Sequence, residues 1–247
     1  MTTSAHGGQW PPAQDSGPAC SLPVPSYLER DYWWAYVHPR AVRFFERPWL
    51  VNLILFGHYA RLCTAALEAL AGDNQRVQGR TLQVACVYGD LTPRLLGRLS
   101  PDARLDVVDI LPVQLHNLRH KLPADTRVQL RLANAAQLGT PDAQYDQVLM
   151  FFLLHEQPAD VRRASLVEAL RVLRPGGKLV LVDYHRPARL HPLRLLLKGI
   201  FHWLEPYAQD LWRTPIEALL PEDGRAHVTG KSLFFGGVYQ CVTLTRP

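Results

Sequence analysis

Arg171-Val-Leu-Arg-Pro-Gly-Gly-Lys-Leu179 is where the chain changes period. Apolar positions before it recur at helical spacing over Asp160–Leu173, and those after it form a short strand-like run, Lys178–Val182. The Arg-Pro-Gly-Gly turn between them stops a helix and launches a strand. Upstream the same alternation repeats. Leu82–Val87, Arg104–Ile110, Val128–Leu132 and Gln147–Leu154 read as strands, with a helical pattern at Pro112–Lys121. Strand and helix in turn predict an α/β, Rossmann-like, mostly parallel sheet. Thr229–Phe235 and Gly237–Thr245 flank a Phe235-Gly-Gly-Val238 turn and predict an antiparallel C-terminal hairpin that brings the sheet to seven strands.

Outside this core the composition shifts. Residues 1–25 are rich in Pro, Gly, Ser and Ala and read as a disordered tail. Residues 26–75 form an N-terminal helical and aromatic segment, with Phe45, Trp49, Leu53 and Phe56 at helical spacing. The core covers 76–186, a basic amphipathic insert 187–223, and the closing strands 224–247. In the insert, Leu193, Leu196, Leu197, Ile200, Phe201 and Leu204 share one helical face, and Arg194, Lys198 and His202 another. That pattern, with Trp203 and Trp212 nearby, suits a helix lying in a bilayer surface and equally a lid. Tyr32-Trp33-Trp34 suits a membrane interface or a buried aromatic cap.

Composition narrows the function classes. The 247 residues carry a net charge of +5, with the lysines only at 121, 178, 198 and 231, and no basic cluster reads as a nucleic-acid arm. Cys20, Cys63, Cys86 and Cys241 have no metal-ligand spacing. No run is long and apolar enough for a spanning helix, and the start lacks a signal-peptide pattern, so a cytoplasmic location is expected.

Ligands of open α/β sheets bind at the carboxyl ends of the strands, beside the first of them. That strand ends in Val87-Tyr-Gly-Asp-Leu-Thr92, and Asp109 ends the second strand, about twenty positions on, where a carboxylate reaches both hydroxyls of a cofactor ribose. The plainer role for Asp109 is a strand-end cap.

These segments resemble the class I S-adenosylmethionine (SAM)-dependent methyltransferases over about residues 80–185. Leu173-Arg-Pro-Gly-Gly177 matches that family's turn before the fifth strand, Asn134-Ala135 its adenine contact, and Phe151–Gln157 its substrate-facing segment. The resemblance implies cofactor contacts at Val87, Tyr88, Gly89, Asp90, Asp109, Ile110, Asn134 and Ala135. The first loop departs from the pattern. Only Gly89 remains of three glycines, flanked by Tyr88 and Asp90. Together with Tyr32-Trp-Trp-Ala-Tyr36, Asn52-Leu-Ile-Leu-Phe-Gly57 and the basic insert, that loop looks like the rhodoquinone biosynthesis methyltransferase-like proteins. This narrower resemblance implies replacement of a ring methoxy group of ubiquinone by an amino group. It also implies SAM as amino donor, a divalent metal (manganese by preference), and peripheral contact with the quinone-containing inner membrane. Catalytic roles are expected for Tyr88, Asp90, Asp109 and His155. His155 with Glu156, or Asp183 with His185, are candidate acid–base or metal pairs, and the metal ligands and oligomeric state stay open. Ordinary methylation of a small lipophilic acceptor, or a non-catalytic SAM- or lipid-binding protein, are the other readings the residues allow.

Overall fold

The computed structural model describes residues 22–32, 39–221, 224 and 226–247. Trp33, Trp34 and Cys20 therefore lie outside the described residues, as does the tail up to residue 21. The strands are β1 (Arg80–Val84), β2 (Arg104–Asp109), β3 (Val128–Leu132), β4 (Tyr145–Phe151), β5 (Leu173–Tyr184), β6 (His227–Phe234) and β7 (Tyr239–Thr245). They form one seven-stranded sheet in the order β3-β2-β1-β4-β5-β7-β6. β1 to β5 run parallel, and β7 pairs antiparallel with both β5 and β6. The order reverses at β1, which leaves a crevice between the carboxyl ends of β1 and β4.

The continuous apolar runs follow from burial on both faces. Successive strand residues point to opposite sides. Leu149 and Phe151 of β4 and Val180 and Val182 of β5 enter one core layer. Val148, Met150, Leu179 and Leu181 enter the other. The first layer is closed by α4 (Tyr59–Ala71), α5 (Leu91–Arg98) and α6 (Pro112–Lys121), the second chiefly by α7 (Ala159–Val172).

The period change at 171–179 takes an unexpected form. β5 pairs Leu173 with Tyr145, skips, and resumes with Lys178 opposite Gln147, so Arg174–Gly177 loops out of a strand already begun. Gly176 has φ +78°, and a Cβ on Gly177 would stand 2.8 Å from the Arg174 carbonyl oxygen, which explains both glycines.

The segment 39–71 is helical, as its pattern predicts, and forms three helices: α2 (Pro39–Phe45), α3 (Pro48–Ile54) and α4. Pro48 opens α3 and Gly57, at φ +78°, lies between α3 and α4. Trp49 and Leu53, read at helical spacing, are 58% and 64% exposed. α1 (Ser26–Asp31) packs Leu28 and Tyr32 against Leu111. The insert holds α8 (Arg194–Leu204) and α9 (Ala208–Arg213). Leu197 and Phe201 of the expected apolar face turn inward, Leu193 and Ile200 pack beside them, and Leu196 is exposed with Leu195 and Trp203. The side chain of Leu204 is not among those described. Trp212, expected near an interface, is buried against Phe201.

Candidate active site

A cavity of about 710 Å³ opens at the carboxyl ends of β1, β2 and β4, under α3 and α8. Backbone strain gathers at its rim. Ala85, just past β1, and Phe152, just past β4, both take left-handed φ (+73° and +54°), a conformation costly for residues with side chains. Val87, Tyr88, Asp109, Ile110, Asn134, Ala135 and His155 all line the cavity. Seven of the sequence-derived site residues thus converge.

Asp109 fills the strand-end capping role. Its Oδ2 accepts from the Cys86 N–H at 2.7 Å and its Oδ1 from the Leu111 N–H at 2.8 Å, which locks the end of β2 to the first loop. Burial pushes its carboxyl up to about 6, against the three backbone N–H groups that hold it down. Asn134 spends one Oδ1 lone pair on the Ala136 N–H at 2.9 Å, in a turn just past β3.

Tyr88 stacks on Phe45 (centroids 6.0 Å, 24°), and its hydroxyl accepts from Gln114 Nε2 at 3.1 Å. Gly89 and Asp90 do not line the cavity. Asp90 starts α5 and pairs with Arg94 at 2.8 Å, so its carboxylate is a surface ion pair rather than a group facing a substrate. The glycine is explained by Tyr59 of α4: a Cβ on Gly89 would stand 2.5 Å from the Tyr59 hydroxyl. That hydroxyl accepts from the Asp90 and Leu91 N–H groups at 2.8 and 2.9 Å, capping α5 in place of a side-chain N-cap. Outside the loop, Lys121 Nζ donates to Glu46 Oε1 (2.7 Å) and to the Val87 and Gly89 carbonyls, while Glu46 Oε1 accepts from the Gly89 N–H.

At the β4 end, His155 lies in a short helical turn and is 4% exposed. Its Nδ1 is 3.0 Å from Asp183 Oδ1, and its Nε2 is 3.8 Å from both Glu156 Oε1 and Glu205 Oε2. Burial alone would depress the imidazole, but Asp183, then Glu205 and Glu156, push it up to about 9 and favour its charged form. Asp183 braces the site by accepting from the Leu154, His155 and Tyr184 N–H groups. Glu205, from the end of α8, accepts from the Tyr32 hydroxyl at 3.0 Å and is held less acidic than an ordinary glutamate by burial.

Tyr59, Glu46, Lys121, Gln114 and Glu205 were not marked by the sequence. Each acts across a long chain separation and belongs to no local motif. Among the described residues no group of three His, Cys, Asp or Glu side chains is arranged to hold a metal ion. His185 Nδ1 is engaged by the Gly237 carbonyl at 2.9 Å, and Asp183 accepts from backbone N–H groups. No step below is routed through a metal.

Sheet order and crevice are those of the Rossmann-like methyltransferase fold, and residues 81–177 match the family described as a methyltransferase domain. About half of the chain is similar to curated quinone C-methyltransferases. The demethylmenaquinone methyltransferase of Symbiobacterium thermophilum is 32% identical over 123 residues, 49% of this chain and 48% of that protein. The ubiquinone/menaquinone biosynthesis C-methyltransferase UbiE of Ectopseudomonas mendocina is 30% identical over 141 residues, 56% and 54% of the two chains. This chain thus spans about half the length of these curated relatives. Among solved structures, the mitomycin 7-O-methyltransferase MmcR aligns over 87% of this chain and 60% of that one, with a TM-score of 0.64 and 19% identity, a likeness of fold.

Proposed function

We propose that this chain acts in quinone metabolism with SAM as co-substrate, and that its reaction is replacement of a ubiquinone methoxy group by an amino group, giving rhodoquinone. The observation that carries the reading is the first loop. Where a methyltransferase presents glycines to the methionine part of SAM, this loop carries Tyr88, with Tyr59 filling the space behind Gly89. In that reaction SAM supplies its α-amino nitrogen, which bonds to the methoxy-bearing ring carbon as methanol leaves. The nitrogen–Cα bond then breaks with loss of a Cβ proton, and the ring nitrogen takes up a proton.

The residues present fit SAM. Asp109 is the acceptor for the ribose hydroxyls, and Ile110, Asn134 and Ala135 border the place of the base. The aromatic wall of Phe151, Phe152 and Tyr184 suits a quinone ring and excludes water.

Ordinary methylation remains the competing reading, because a fold hosts many chemistries and the relatives named above are methyltransferases. The deciding experiment incubates the protein with ubiquinone and SAM carrying nitrogen-15 at the α-amino position, with and without manganese. A labelled aminoquinone by mass spectrometry is the expected product. A methylated quinone instead would assign the chain to methyl transfer.

The same reading places the protein peripherally on the cytoplasmic face of the quinone-containing membrane. No single helix among the described residues is long and apolar enough to cross a bilayer. Leu53 and Ile54 of α3 both line the cavity and are exposed, and Leu195, Leu196 and Trp203 of α8 are exposed beside its inward face. Apolar lips on both sides of an apolar cavity suit lateral entry of an isoprenoid tail. Exposed Arg43, Arg47 and Lys198 add attraction to anionic lipid. The double variant Leu195→Glu, Trp203→Glu is expected to weaken co-sedimentation with anionic vesicles by about tenfold or more, given roughly 1.5 kcal/mol or more per buried apolar side chain. Unchanged co-sedimentation would remove α8 from the docking surface.

A further inference from the structure

The amino-acid end of SAM carries a carboxylate, which needs N–H donors, and an ammonium, which needs acceptors. The first loop offers few of either, because its backbone is already engaged. The Gly89 N–H is taken by Glu46, the Asp90 and Leu91 N–H groups by Tyr59, and the Cys86 N–H by Asp109. The Val87 and Gly89 carbonyls are taken by Lys121 at 3.2 and 3.0 Å, and the Tyr88 carbonyl accepts from the Tyr59 hydroxyl at 3.4 Å.

The other polar end of the cavity has the complementary chemistry. The described lining residues include no Lys or Arg, and His155, beside three carboxylates, is the lining side chain whose surroundings favour a positive charge. Its Nε2 faces Glu156 Oε1 and Glu205 Oε2 at 3.8 Å, too far for a hydrogen bond to either. β4 neighbours β1 in the sheet, so this cluster borders the same crevice as the first loop.

We propose that the amino-acid end of SAM binds at the His155–Glu156–Glu205 cluster instead of on the first loop, with its carboxylate on His155 Nε2–H and its α-amino group on Glu205. The inference rests on the SAM reading above and names the subsite that reading leaves open. Placed there, the ammonium gives a proton to Glu205, becomes a neutral amine, and stands beside the aromatic wall formed by Phe152 and Tyr184. Glu205 is the group suited to take that proton, since burial holds it less acidic than a solvated glutamate.

Binding separates this subsite from the adenosine site. Calorimetry on the full chain compares S-adenosylhomocysteine with 5′-methylthioadenosine, which keeps the adenosine and sulfur and lacks the amino-acid end. S-adenosylhomocysteine is expected to bind roughly tenfold or more tightly, a preference of about 1.4 kcal/mol or more. Glu205→Gln and His155→Asn should each bring the two ligands to within about threefold of one another while methylthioadenosine affinity holds, which also shows that the variant is folded. A preference retained in both variants, or lost instead in Lys121→Met, overturns the proposal and returns the amino-acid end to the loop. Binding of neither ligand by the unmodified protein removes the SAM reading, and this subsite with it.

Discussion

Asp109→Asn is expected to weaken S-adenosylhomocysteine binding by a hundredfold or more. Two ribose hydroxyls donating to a buried carboxylate are charge-assisted bonds, worth roughly 1.5–3 kcal/mol each. The amide keeps one acceptor oxygen and turns its NH₂ toward either the Cys86 or the Leu111 N–H, which now has no acceptor. The pH dependence has a definite sign. With its carboxyl pushed up to about 6, Asp109 is ionised at neutral pH and neutral in mild acid. Ligand affinity in the unmodified protein should therefore fall as pH drops below about 6, and the asparagine variant should lack that fall. Stability runs the other way. A carboxyl whose folded value is raised from 3.8 to about 6 favours the folded state below its unfolded value and loses that contribution as pH rises through 6, about 3 kcal/mol in all. A carboxylate kept at a cost to stability is the pattern of a functional group. Calorimetric titration at pH 5 and pH 7.5 checks the result, and equal affinities for the two proteins at neutral pH would leave Asp109 as a structural cap alone.

The second large effect is on stability, at Tyr59. Tyr59→Ala removes a 4% exposed ring from the core and strips the Asp90 and Leu91 N–H groups of their acceptor. Aromatic-to-alanine changes in a core cost about 3–5 kcal/mol, and an orphaned buried donor about 1–3 more. At about 2–4 °C per kcal/mol for a chain of this size, the melting midpoint should fall by about 10 °C or more. Tyr59→Phe keeps the ring and loses only the acceptor, so a drop of about half that is expected. Thermal unfolding of the two variants side by side separates packing from capping. Identical midpoints would show that the hydroxyl holds nothing.

What the sequence made legible is what local periodicity and short motifs encode. The strand–helix alternation, the Arg174–Gly177 turn and the antiparallel hairpin are visible because each is written within a dozen or so residues. Asp109 and His155 are likewise positioned by the ends of their own strands. Two kinds of feature were not legible. Where the helices break, at Pro48 and Gly57, was not read from the sequence, and Trp49 and Leu53 face outward although their spacing gives an apolar helical face. Side chains that meet the loop from afar carry no motif. Glu46 and Lys121 are brought together only by the packing of α2 against α6, and Glu205 reaches His155 only because α8 roofs the cavity. Asp90, adjacent to the loop in sequence, was the misleading neighbour, since the helix that starts there turns its carboxylate to Arg94.

The Glu46–Lys121 pair has a consequence for the thermodynamics of recognition. A glycine-rich loop is conformationally loose, and fixing one residue of backbone costs about 1–2 kcal/mol of entropy when a ligand orders it. Here the loop backbone is ordered by hydrogen bonds to Glu46, Lys121 and Tyr59 of the chain itself. The binding step is thereby relieved of that entropic cost, so the loop acts as a preorganised wall and not as a flap that folds over its guest.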